Sequence, residues 1–128
     1  MIMPCPTESQ EGEVLVAYLR AMNLKFTHTA NESQSGHKNA MIRGAKMKRQ
    51  GVSRGFPDYT ILVGGSIIFI ELKRLRGSST SPEQKDWIAA LNEVANCQAF
   101  IAKGANAAIT IVEQYLPAKL TPRDTPMF

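Results

Sequence analysis

The sequence predicts an α/β fold: a mixed central sheet with helices on its faces. Three observations predict it. Two runs rich in Val, Ile, Phe and Tyr, Tyr59–Val63 and Ile67–Leu72, are separated by Gly64-Gly65, which suits a two-residue hairpin turn. A marked helix start, Ser81-Pro82-Glu83-Gln84, follows that hairpin. A further apolar run, Gln98–Ala102, follows the helix. A strand, a helix and a second strand make a crossover, so the last strand lies parallel to a hairpin strand.

The elements follow in order. A first helix is predicted from about Thr7 to Met22, with Thr7 as N-cap and Glu8 and Glu11 in its first turn. Its apolar stripe is Leu15, Tyr18, Leu19 and Met22. A short strand is expected around Lys25–Thr29. Within the polar stretch 31–55, Asn39–Gln50 can form a helix closed by Gly51. The hairpin comes next. In the following helix Ser81 is the N-cap, Pro82 fits N1, and Gln84 at N3 completes a capping box. Its buried face is expected to hold Trp87, Ile88, Leu91 and Val94. A last helix is predicted over Ala105–Tyr115. Pro117, Pro122 and Pro126 predict an irregular, mobile tail.

The 128 residues suit a single domain, and 44% hydrophobic residues can supply its core. No apolar run reaches the roughly 18 residues of a membrane span. Met1–Gln10 lacks the basic start of a signal peptide, so a soluble cytoplasmic protein is expected. Cys5 and Cys97 have no CxxC spacing and read as free thiols. A zinc site from Cys5, Cys97, His28 and His37 is disfavoured by spacing. The net charge of +4 suits a polyanionic partner without demanding one.

The hairpin carries the chemistry. If Gly64-Gly65 is the turn, Val63 faces Ser66, and five steps further out Asp58 faces Glu71. Directly opposed residues project from one face with Cβ atoms about 4.5–5.5 Å apart. Lys73, two residues beyond Glu71, shares that face. Opposed carboxylates repel unless a cation neutralises them. Oxygen ligands on a rigid frame suit Mg²⁺ or Mn²⁺, and the Leu72 carbonyl can add a further ligand.

Gly55-Phe56-Pro57-Asp58, the hairpin, and Ile70-Glu71-Leu72-Lys73 together resemble the core of the PD-(D/E)XK nucleases. More closely, the chain resembles the VRR-NUC (virus-type replication-repair nuclease) family. The likeness includes Glu8-Ser9-Gln10, Asn31-Glu32, Lys48-Arg49-Gln50-Gly51 and Ser81-Pro82-Glu83-Gln84. It spans about Glu8 to Lys103. The resemblance implies a restriction-endonuclease-like fold with Asp58 and Glu71 as metal ligands. Lys73 would assist the attacking water or stabilise charge on the phosphate. Glu8 matches the family's acidic residue on the first helix and would reach the metal directly or through water, with Glu11 one turn on as the competing candidate. Gln84 matches a glutamine near the active site, and Glu32 matches a position of less defined role. Members occur alone in phages or attached to larger repair proteins, and so short a chain looks like the stand-alone kind, at work in a bacterial or phage-infected cell.

The expected activity is metal-dependent hydrolysis of phosphodiester bonds in DNA. Lys38, Arg43, Lys46, Lys48, Arg49 and Arg54 are six cations without an acid between Ser33 and Pro57. With Arg74 and Arg76 they form the expected nucleic-acid-binding surface. One site per chain cuts one strand, so a homodimer acting on branched DNA, such as four-way junctions or flaps, is expected. A sequence-specific restriction-type endonuclease, an RNA nuclease and a non-catalytic nucleic-acid-binding module are the competing readings.

Overall fold

A computed structural model describes residues 4–29 and 37–117, excepting the side chains of residues 37–40. Its elements are α1 (Glu8–Ala21), β1 (Lys25–His28), α2 (His37–Arg49), β2 (Tyr59–Val63), β3 (Ser66–Lys73), α3 (Pro82–Asn92), β4 (Cys97–Lys103) and α4 (Ala105–Glu113). The sheet order is β1-β2-β3-β4. β1 and β3 each run antiparallel to β2, and β4 runs parallel to β3. This is the predicted mixed sheet with its α3 crossover.

The turn fixes the hairpin register. Gly64 and Gly65 have φ of +56° and +83°, the left-handed values that a two-residue turn of this hand requires at both positions. Val63 consequently pairs with Ser66 and Tyr59 with Ile70. Alternation then sorts the side chains. Ile61, Val63, Ile68, Ile70 and Leu72 go to one face, where they meet Leu15 and Leu19 of α1 and Ala108 and Val112 of α4. Leu15 and Leu19 are fully buried, each stabilising the fold by about 1.5–3 kcal/mol. The other face takes Phe69, Glu71 and Lys73 and is covered by α3. There Phe56 lies edge-on to both Phe69 and Trp87, at centroid separations of 5.7 and 5.0 Å.

Both long-range helix anchors are polar. The Asn92 side chain at the end of α3 bonds both the N–H and the C=O of Ala99, which clamps α3 to β4. On α1, the buried Glu11 carboxylate accepts from the Ala105 N–H at 2.9 Å, so it caps the first turn of α4.

Several boundaries differ from the sequence reading. β3 and β4 each gain a residue at both ends, because pairing continues past the apolar run. α4 stops at Glu113 rather than Tyr115. α3 ends at Asn92, so Val94 lies beyond it and is 53% exposed, and Trp87, Ile88 and Leu91 are half-buried rather than buried. The tail expected to be irregular, from residue 118 onward, lies outside the described residues, as does Glu32.

Candidate active site

Asp58 directly precedes β2, and Glu71 and Lys73 close β3. The three are 5%, 3% and 7% exposed. The structure brings them together on one side of the sheet. The Asp58 and Glu71 carboxyl groups lie close enough to perturb each other's ionisation, in keeping with the hairpin register extended one pair beyond Tyr59 and Ile70. Asp58 Oδ2 also accepts from the Leu72 N–H at 2.9 Å, and the Asp58 carbonyl accepts from the Thr29 N–H at 2.6 Å. These bonds tie the mouth of the hairpin to β1.

Gln84 organises the other flank. Its Oε1 accepts from Lys73 Nζ at 2.9 Å and from the Ser81 N–H at 3.0 Å, while its Nε2 donates to Glu71 Oε2 at 2.9 Å. Lys73 Nζ stands 3.4 Å from Glu71 Oε2. The amide that closes the capping box therefore also positions the Lys73 ammonium and one carboxylate. Gly55 brings α3 this close. It sits at φ +89°, and a Cβ there would lie 2.6 Å from the Glu83 carbonyl carbon and 2.7 Å from the Gln84 nitrogen.

The electrostatics are those of crowded acids. Burial raises the Asp58 pKa, with the Leu72 N–H and Glu71 opposing. Burial and then the Asp58 charge push Glu71 up to about 7, against the pull of Lys73. Both acids are thus harder to ionise than in water. Glu71 Oε1 is buried without a hydrogen-bond donor. An orphaned acceptor of this kind beside a second carboxylate fits a hard cation. The Leu72 N–H bonds Asp58, and in a strand the C=O of a residue leaves by the same edge as its N–H.

Glu8 is placed differently. It is exposed on the first turn of α1, near enough for the Asp58 charge to add to the burial that raises its pKa. Yet no three acidic, histidine or cysteine side chains converge into a metal cluster among the described residues. Glu8 therefore stands apart from the Asp58–Glu71 pair, near it in charge but not clustered with it. Glu11 is turned away to α4, which separates the two acids that the sequence left in competition. Cys5 and Cys97 are free thiols.

The basic residues differ in exposure. Lys46, Lys48, Arg49 and Arg54 are exposed, Arg43 and Arg74 are half-buried, and Arg76 is exposed. The Lys38 side chain lies outside the described residues. Sequence reasoning weighed His28 only as a disfavoured zinc ligand. It stands opposite Tyr59 across the β1–β2 ladder and stacks on it at a centroid distance of 4.6 Å. With Glu8, Arg20, Asp58 and Tyr59 it lines a cleft of about 550 Å³ between α1 and the sheet edge. No local signal marks it, because a strand thirty residues before β2 carries no register information.

No protein-family profile and no curated protein matches the chain. Solved structures do. One, named "VRR_NUC domain protein", superposes with a TM-score of 0.70 at 26% identity, over 92% of this chain and 93% of its own. A second, named "VRR_NUC domain", superposes with a TM-score of 0.57 at 16% identity, over 86% of this chain and 99% of its own, a likeness of fold.

Proposed function

The chain is assigned to the VRR-NUC family, with a PD-(D/E)XK-like fold, and on that premise we propose that it is a divalent-metal-dependent nuclease hydrolysing phosphodiester bonds in DNA. The observation that carries this reading is the buried Asp58–Glu71 pair with its undonated Oε1 and Gln84-held lysine. A non-catalytic binding module offers no reason for that pair, whose burial is costly.

Asp58, Glu71 and the Leu72 carbonyl would hold the cation, and two carboxylates with several waters suit Mg²⁺ or Mn²⁺. When bound, such an ion polarises the scissile phosphate and acidifies a water. Lys73 supplies a fixed positive charge next to the attacking oxygen and the phosphate. Gln84 holds that ammonium in place. Glu8 orders water from the cleft side. In the overall step, the water oxygen bonds to phosphorus as the opposite P–O ester bond breaks. Water loses one proton and the departing oxygen gains one. The products are a phosphate monoester and a hydroxyl.

Lys46, Lys48, Arg49 and Arg54 lead the duplex to this site through phosphate contacts. The finer reading is a structure-specific endonuclease that pairs as a homodimer to cut branched DNA. Labelled linear, flap and four-way-junction DNAs, incubated with wild type and Lys73→Ala in Mg²⁺, Mn²⁺ or EDTA, test it. Cleavage by wild type with metal, lost in EDTA and in the variant, is expected. Cleavage retained by Lys73→Ala would refute the site. Monomer alone on DNA by gel filtration would remove the dimer.

A further inference from the structure

The sheet separates two flanks of the reacting centre. Lys73 and Gln84 lie on the α3 flank, joined by their 2.9 Å bond. Tyr59, one residue after Asp58, points to the α1 flank with Leu72, and His28 stacks on Tyr59 there. Asp58 touches both flanks: it meets Glu71 on one and lines the α1 cleft on the other. In an in-line displacement, the attacking and departing oxygens lie on opposite sides of phosphorus. If Lys73 attends the attacking water, the departing strand leaves by the α1 cleft.

We propose that this cleft is the track of the departing nucleic-acid strand, with His28 and Arg20 as its phosphate-contacting residues. The inference rests on the nuclease reading. The cleft follows α1 from Glu8 at the reacting end to Arg20 at the far end. At 1.5 Å per residue, twelve residues span about 18 Å, the length of about five stacked nucleotides at 3.4 Å each, lying along the open cleft rather than enclosed by it. Arg20 is exposed in the last turn of α1, and its guanidinium has no salt bridge or hydrogen bond among the described residues. His28 is held edge-wise at the entrance by its stack on the buried Tyr59, so its ring is positioned before any ligand arrives. Glu8, Glu13 and Asp58 line the same cleft, and their charge opposes an anionic strand that His28 and Arg20 attract.

The test measures binding of a fluorescein-labelled DNA duplex in EDTA against salt, and then steady-state cleavage in Mg²⁺. Each phosphate contact contributes about 0.9 to the slope of log K against log salt. Arg20→Ala should therefore flatten the slope by about one and weaken binding roughly five- to tenfold at ~0.1 M salt. Arg20→Lys should restore both. His28→Ala should weaken binding, and Glu13→Gln should tighten it. KM should rise in Arg20→Ala with kcat retained. The Arg20→Ala defect should also vanish on a substrate shortened to two nucleotides on the side whose product carries the hydroxyl. Lys25→Ala, an exposed cation at the other end of β1, serves as the charge control. If wild type cuts DNA but Arg20→Ala behaves as Lys25→Ala does, the track is wrong and the nuclease reading stands. If wild type with metal cuts no DNA, the nuclease reading fails and the track fails with it.

Discussion

Replacing Glu71 by glutamine keeps its volume and removes one of two crowded acids. The magnitude follows from the pair itself. Burial and the neighbouring Asp58 charge lift Glu71 from 4.5 to about 7. At 1.36 kcal/mol per unit this is about 3 kcal/mol, a ceiling because the two groups share the proton. The folded state binds this proton more tightly than the unfolded chain does. Its stabilising contribution is therefore complete below about pH 4.5 and is lost as pH rises through about 7. Urea denaturation in EDTA from pH 5 to pH 8 should show wild type losing up to about 3 kcal/mol across that window. Glu71→Gln should lose much less and exceed wild type at pH 8. Millimolar Mg²⁺ at pH 8 should raise the wild-type midpoint and leave that of the variant nearly unchanged, since an ion bound only by the native state stabilises it. A wild type without pH dependence between 4.5 and 7, together with a Glu71→Gln variant less stable than wild type at pH 8, would refute the juxtaposition.

Three further outcomes are expected. Gln84→Ala should lower kcat by about 10- to 100-fold, because Lys73 and Glu71 lose their shared holder, whereas Ser81→Ala should cost about 1 kcal/mol of stability through the cap alone and leave kcat within a few-fold; equal kcat losses would show that Gln84 acts only as a cap. Gly55→Ala should destabilise by about 1–3 kcal/mol in urea, since its Cβ meets the α3 backbone at a left-handed φ; a neutral result would mean that α3 docks elsewhere. Glu11→Ala should cost about 1–3 kcal/mol by uncapping α4, while Glu8→Ala should melt like wild type and lose cleavage; the reverse pattern would exchange their roles.

Much of the site was legible because its parts are local. A two-residue glycine turn and a side-chain period of two leave one register for the hairpin, and that register carries Asp58 to Glu71 and Lys73 to their side. The capping box of α3 was equally legible, since Ser81 and Gln84 meet within one helical turn. That the same amide also grips Lys73 was not legible, because it depends on how α3 lies across β3.

The sequence by itself determined which residues pair across the short turn and which open each helix, because contacts a few residues apart leave the backbone few alternatives. Only the tertiary structure decided the fates of Glu8 and Glu11. Both are first-turn acids about 60° apart on one helix, and the docking of α4 claims Glu11 and leaves Glu8 to the cleft. It also decided the place of His28, thirty residues from its partner Tyr59 along a connection too long to set a register. Distant segments meet through core packing summed over the whole chain, and no local stretch of residues encodes that sum.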